Sequence, residues 1–350
     1  MNAAQNNTAD WRASIRKNSR KTYFVIGMFF LMYLALGLLV DTYLAMAHYP
    51  HAPVQSILIA LITLQILPIA SLIMLTIAVV SLFVTYAFHD KFMLLGTEYR
   101  EITPESAQNV IEQQLYNVVS EMKIAAGLQF MPKVYLINAD YMNAFASGYS
   151  EKSAMVAITR GLIQKLNRSE LQAVMAHELS HIRHLDIKLT LTASVLANLI
   201  LMVVDVLFYN ALFANRDNDN RGRNNLLVII MVLRYVLPVI NILLLLYLSR
   251  SREYMADAGA VELLRDNQPL ASALLKINND HADNQAQYNQ AYRQTPHENV
   301  RREAYIFDPI SAGFEASSSL ADAFSTHPSL AARLAALGIK YNDNNERSKP

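Results

Sequence analysis

Two stretches without a single Asp, Glu, Lys or Arg, residues 22–40 and 42–89, constrain this chain more than any other feature. A bilayer's hydrocarbon core is about 30 Å thick, and a helix needs about 20 apolar residues to cross it. The first stretch is just long enough for one span. The second is too long for one and holds Pro68. A helix fits Ile69–Phe88, with Val54–Leu67 as either its bent extension or an interfacial segment. Two further apolar runs follow, roughly Leu189–Phe213 and Leu226–Leu248. Composition agrees: 17% of the 350 residues are charged and 53% are hydrophobic, against about a quarter charged in ordinary soluble domains. The expected fold class is a mostly α integral membrane protein with about four transmembrane helices.

Lys and Arg bias gives the orientation. The tail 1–21 carries Arg12, Arg16, Lys17, Arg20 and Lys21, which puts it in the cytoplasm. Lys91 and Arg100 follow the second span, Arg183 and Lys188 precede the third, and Arg250 and Arg252 follow the fourth. Loop 214–225 dissents mildly, with Arg216, Arg221 and Arg223 beside Asp217 and Asp219. The first apolar run is longer than the core of a cleaved signal peptide and lacks a small-residue cleavage site close behind it, so an uncleaved signal anchor fits. Asp205 and Arg234 lie equally far from the turn between the third and fourth spans and are expected to pair. Net charge is +1, which gives no footprint for nucleic acid. There is no cysteine, so disulfides, thiolate catalysis and Cys-ligated metal are excluded.

The polar remainder falls into segments. Helices 22–88 and 189–248 alternate with 90–188 and 249–340, and 341–350 is a loose tail. Thr103-Pro104-Glu105 reads as a helix start, followed by Ile111, Leu115, Val118, Val119 and Met122 at helical spacing. Val134–Leu136, Asn143–Ala146 and Met155–Ile158 read as strands, with Gly148 and Ser150 at the turn between the last two. Asn167 and Glu170 form a capping box that starts another helix. Residues 249–280 read as helical. Residues 281–319, rich in Asn, Gln, Ala and Ser, read as a flexible insertion.

The helix starting at Asn167 carries His177-Glu178-Leu179-Ser180-His181. Residues i and i+4 share a helix face, so both imidazoles can reach one zinc ion, with Glu178 beside the metal's open position. A catalytic zinc takes three protein ligands. His184 is too close on the same helix, and the longer motif with Gly and His at positions 184 and 187 is absent, since these are His184 and Ile187. Glu253, in Glu253-Tyr254-Met255-Ala256-Asp257, is the better candidate. Glu253 and Asp257 are four apart, so one can bind metal while the other accepts a hydrogen bond from a ligating histidine. Two spans separate His181 from Glu253, so both emerge on one side. His181 stands roughly 12 Å of helix before its span and Glu253 roughly 8 Å after the other. The chemistry expected is peptide hydrolysis with Glu178 as general base and no covalent intermediate.

Together with Ser325-Thr326-His327-Pro328, these motifs make the chain resemble the HtpX-type membrane metalloproteases, related to the CAAX prenyl proteases. The resemblance covers about residues 20–280 and 320–340. It implies a cytoplasmic, zincin-like (gluzincin-type) α+β protease domain with a small β-sheet. It also implies one Zn2+ held by His177, His181 and Glu253, with Glu178 as base and Asp257 orienting a ligand. His327 and Arg333 would contact the substrate carbonyl or oxyanion. Asn143-Ala144-Phe145-Ala146 resembles the family's edge strand, to which an extended substrate would add by main-chain hydrogen bonds. The implied role is quality control of misfolded or damaged proteins in the bacterial cytoplasmic (inner) membrane. Its partners would be membrane-protein substrates, the lipid bilayer and an ATP-dependent membrane protease. The competing readings are a four-span transport or receptor protein with a non-catalytic metal site, supported by the Asp205–Arg234 pair, and a prenyl-protein processing peptidase, which would need a larger helical enclosure.

Overall fold

In the computed structural model the described residues are 11–213, 221–294, 304–307 and 327–340. Readings that fall on 1–10, 214–220, 295–303, 308–326 and 341–350 lie outside them. The chain forms two units, one from residues 88–188 and 246 onward with the first 19 residues, the other from 20–87 and 189–245.

The second unit contains most of α1 (Trp11–His48), α2 (Val54–Ile62), α3 (Ile69–Ala87) and the apolar parts of two helices described below. Among the described residues, Ile26–Met46 and Ile69–Ala87 are long and apolar enough to cross a bilayer. Their apolar side chains are largely uncovered; Phe83, for example, is 72% exposed. Such a surface suits lipid rather than water. Val54–Leu67 is not a bent extension of α3. It forms the separate α2, which ends in a turn where Leu64 takes a left-handed conformation (φ 60°). Asp41 explains the sharp start of α3. Its buried carboxylate accepts hydrogen bonds from Ala70 N (2.8 Å) and from Ser71 N (2.9 Å) and Oγ (2.8 Å), satisfying donors that a helix start leaves free.

The first unit is built on a four-stranded mixed sheet whose two faces are both apolar. Its strands are β1 (Tyr99–Glu101), β2 (Lys133–Ile137), β3 (Ala144–Ser147) and β4 (Met155–Thr159), in the order β1-β2-β4-β3. β2 and β4 are parallel, while β1 and β3 run antiparallel to their neighbours. Alternate residues point to opposite faces. Val134, Ala144, Ala146, Val156 and Ile158 meet the main helical layer, and Tyr135, Ile137, Phe145, Met155 and Ala157 face an aromatic cluster. A sheet with two apolar faces must be a middle layer. Short helices α4 (His89–Leu94) and α6 (Arg160–Lys165) flank it. The main layer holds α5 (Val110–Ala125), α7 (Arg168–His184) and α10 (Gln268–Asp283). α8 (Asp186–Phe213) and α9 (Arg221–Leu264) carry the third and fourth apolar runs. Among the described residues, their apolar stretches are Thr192–Val206 and Val228–Ile240. Asp205 and Arg234 do pair there, at 3.1 Å.

Two expectations change. Thr103–Glu105 does not open a helix. Thr103 and Ser106 bond to each other's backbone in a turn, and α5 starts at Val110 under Asn109, whose Oδ1 accepts from Glu112 N at 2.9 Å. Glu112 in turn accepts from Gln108 N at 2.7 Å, so the cap is Asn109-x-x-Glu112. The insertion expected from residue 281 begins instead as the end of α10 and then α11 (Gln285–Gln294). Tyr288 and Tyr292, four apart, bury one face of α11 in the aromatic cluster with Tyr141 and Phe145. Two tyrosines suffice to dock a helix otherwise made of Asn, Gln, Ala and Arg293.

Candidate active site

α7 starts at the expected capping box. Asn167 Oδ1 accepts from Glu170 N at 3.0 Å, and the Glu170 carboxylate accepts from Asn167 N at 2.9 Å. Ser272 and Lys276 of α10 bind the same carboxylate at 2.6 and 2.8 Å. From Ala173 to His184 the helix is buried throughout, so His177, Glu178 and His181 sit in the protein interior. Polar groups there are costly unless they are partnered. α7 stops at Leu185, whose left-handed backbone (φ 52°) breaks the helix before α8. That turn brings Asp186 back onto His181, with Nδ1 3.0 and 3.2 Å from its two carboxylate oxygens.

His177 Nδ1 stands 2.9 Å from Asp257 Oδ1, an ion-pair approach outside hydrogen-bond alignment. With both Nδ1 atoms against carboxylates, the two Nε2 atoms converge to 3.2 Å. Glu253 faces both, Oε2 at 3.6 Å from His177 Nε2 and Oε1 at 3.6 Å from His181 Nε2. Adjacent ligands on a tetrahedral zinc with bonds near 2.05 Å lie about 3.3 Å apart. The three ligand atoms lie within 4.8 Å of one another and all three residues are buried. Both Glu178 oxygens are buried without a hydrogen-bond partner among the described residues. A His–His–Glu donor set beside an unpartnered carboxylate fits a zinc ion.

Electrostatics follows the geometry. Burial opposes a charged His177, but Asp257 and Glu253 outweigh it and raise its pKa from 6.5 to about 9. Burial also raises the Glu178 carboxyl. Glu253 lies well below the usual range because His327, His177 and His181 overcome its burial. Asp257 is likewise lowered against burial, chiefly by Arg333.

The remaining candidates come to the same place. α12 (Leu330–Ala336) starts at Ser329, whose hydroxyl accepts from Ala332 N at 3.3 Å. It presents Arg333, which donates from Nε (2.9 Å) and Nη2 (2.6 Å) to Asp257 and from Nη1 (2.6 Å) to Ile306 O. Arg333 Nη1 and His327 Nε2 stand 3.8 and 3.9 Å from the Glu253 carboxylate. His184 is buried and stays out of the cluster.

β3 is an edge strand in the sheet order, but its outer side is occupied. Tyr305 bridges Phe145 in antiparallel fashion, and Ile306 N donates to Ala144 O at 2.9 Å. Asn143 Nδ2 donates to Phe307 O at 3.0 Å.

Three contributors escaped sequence reasoning. Asp186 is five residues past His181, off its helix face, and only the break at Leu185 returns it. Gly259 lets α9 approach α7, since a Cβ there would stand 2.9 Å from Ser180 Cβ and closer still to its Oγ. The run Ala256, Gly259, Ala260 was a readable hint of close helix packing. Residues 304–307 fell inside the stretch read as a flexible insertion, although Tyr305-Ile306-Phe307 is a β-prone run.

The model of Peptidase family M48 matches residues 109–339, a span that takes in α7, the Glu253–Asp257 stretch and α12. The chain belongs to peptidase family M48. It is 39% identical to a "Protease HtpX homolog" of Helicobacter acinonychis (strain Sheeba) over 323 residues, 92% of this chain and 96% of that one. It is 34% identical to a "Protease HtpX" of Legionella pneumophila (strain Lens) over 227 residues, 65% and 76% of the two chains. Among solved structures, the crystal structure of S. mikatae Ste24p aligns with a TM-score of 0.46 at 16% identity, covering 94% of this chain and 66% of that one. M48 peptidases are zinc-dependent, and this M48 chain is a metalloendopeptidase, an HtpX-type protease. The enzyme reading therefore prevails over the transport or receptor reading. Its apolar helices and its HtpX kinship make it a membrane protein.

Proposed function

We propose that this M48 protease hydrolyses misfolded or damaged membrane proteins at the cytoplasmic face of the bacterial inner membrane. Four transmembrane helices would anchor it with the N-terminus inside, as the Lys and Arg bias supports. By analogy with its HtpX relatives, an ATP-dependent membrane protease is its partner in quality control.

The observation that carries the catalytic part is the convergence of His177 and His181 Nε2 with Glu253 beside an unpartnered, buried Glu178. His177, His181 and Glu253 hold the zinc, and Asp257 and Asp186 fix the two rings. When bound, zinc supplies a Lewis acid that polarises a carbonyl and acidifies water. Glu178 takes a proton from the attacking water and returns it to the leaving amine; its raised pKa suits both transfers. Arg333 and His327 supply donors to the carbonyl oxygen as its charge grows. β3 aligns the substrate as an added strand through its main chain.

Bound zinc and proteolysis, measured side by side on detergent-purified wild type and Glu178→Gln, test this reading. Near-equimolar zinc in both is expected, with cleavage lowered about 10²- to 10⁴-fold in the variant. A variant that cleaves like wild type would remove Glu178 from the mechanism.

A further inference from the structure

Residues 304–307 make the contacts that a substrate strand on β3 would need. Ile306 N uses Ala144 O, Ile306 O uses Arg333 Nη1, and Phe307 O uses Asn143 Nδ2. These three partners come from β3, from α12 and from the residue that leads into β3. Each is buried, so each would be costly to leave unmade. The edge therefore needs an occupant, and one strand excludes another. Tyr305 and Ile306 are themselves buried, with the Tyr305 ring edge-on to Phe145 at 5.5 Å and its hydroxyl 3.4 Å from that of Tyr141.

We infer that residues 304–307 are a resident strand that holds the β3 edge closed, and that substrate enters by displacing it. This rests on the protease reading and deepens it. A competitor must offer an extended main chain and a side chain that replaces Tyr305 in the aromatic pocket, followed by aliphatic or aromatic residues. The Tyr-Ile-Phe sequence of the strand describes that competitor: an exposed apolar segment, of the kind an unfolded membrane protein presents. A folded protein, whose apolar segments are packed away, cannot open the site.

The chain contains no cysteine, so one engineered pair can lock the strand. Ile306 bonds to Ala144, which makes 145 and 305 the neighbouring non-hydrogen-bonded pair. Such pairs have Cα atoms about 4.5 Å apart, within disulfide range. The experiment places Phe145→Cys and Tyr305→Cys in full-length Glu178→Gln protein. Anisotropy then reads the binding of a fluorescent peptide carrying the 304–307 sequence. The oxidised form is expected to bind at least about tenfold more weakly than the same protein reduced. Equal binding in the two forms would overturn the inference. Ile306→Pro, which removes the donor to Ala144 but leaves β3 intact, is expected to bind the peptide about three- to tenfold more tightly than Glu178→Gln alone. Binding that is unchanged or weaker would make the segment a permanent part of the sheet and overturn the inference. Cleavage of the same peptide with Glu178 restored reports on catalysis separately. An oxidised-to-reduced difference in binding with no cleavage would fault the protease reading and leave the resident strand standing.

Discussion

The metal cluster and the β3 edge lie in the same unit and are joined through Arg333, yet they are specified in opposite ways. The cluster is made of side chains. His177 and His181 stand four apart on α7 and Glu253 and Asp257 four apart on α9, so each helix groups its own pair on one face. The edge is made of main chain. Ala144 offers a carbonyl and Ile306 an N–H, groups that every residue except proline carries. A cluster of the first kind breaks when one residue type changes. An edge of the second kind breaks when the backbone is blocked or displaced.

The largest effect that would sharpen this contrast is at Glu253. Glu253→Ala should abolish stoichiometric zinc, read by metal analysis after dialysis, and proteolysis with it. Full zinc in that variant would remove Glu253 from the ligand set. Next is the backbone approach that delivers Glu253. Gly259→Leu drives a side chain into Ser180, and overpacking of this kind costs about 1–3 kcal/mol. A lower melting temperature with weakened zinc binding is expected, and normal metal affinity would show that α9 need not approach so closely.

The two aspartates come third. Asp186→Asn and Asp257→Asn should each weaken zinc about 10- to 100-fold, the usual effect of losing a carboxylate behind a ligating histidine. Asp257 also holds Arg333 through two hydrogen bonds, so its variant should lower kcat beyond what restored zinc recovers, whereas excess zinc should rescue Asp186→Asn. Equal rescue of both would separate Arg333 from the reaction.

The smallest effect belongs to the aromatic side of β3. His281 Nε2 meets the Tyr292 hydroxyl at 3.2 Å, and Tyr292 meets Asn143. Burial lowers the His281 pKa below 6.5, against the Ile277 carbonyl and Asp280 and with help from Lys165. The unfolded chain therefore binds this proton before the folded one does. Stability from His281 is complete above about 6.5 and declines as pH falls below it. His281→Gln should flatten the fall in melting temperature between pH 7.5 and 5.5 by an amount worth about 1 kcal/mol or less. An unchanged slope would assign the acid sensitivity to other groups.

Much of this was legible in the chain. The Asn167–Glu170 cap and the strands at 134, 144 and 155 follow from short spacings, and the pairing of Asp205 with Arg234 and the gathering of His177, His181 and Glu253 follow from those spacings combined with the order of the apolar runs. Local spacing misled at Thr103, where a Thr-Pro-Glu start lost to the reciprocal cap of Asn109 and Glu112. It misled again after residue 281, where composition hid the i, i+4 tyrosines of α11.

The residues able to form a metal cluster and the apolar runs able to meet lipid were determined by sequence alone, because side-chain chemistry and helical period are local properties. The return of Asp186 to His181 and the closeness of α9 to α7 at Gly259 were decided only by tertiary structure. So was the seating of residues 304–307 on β3. Each depends on where the backbone turns or how near two backbones come, and on main-chain groups that nearly every residue carries.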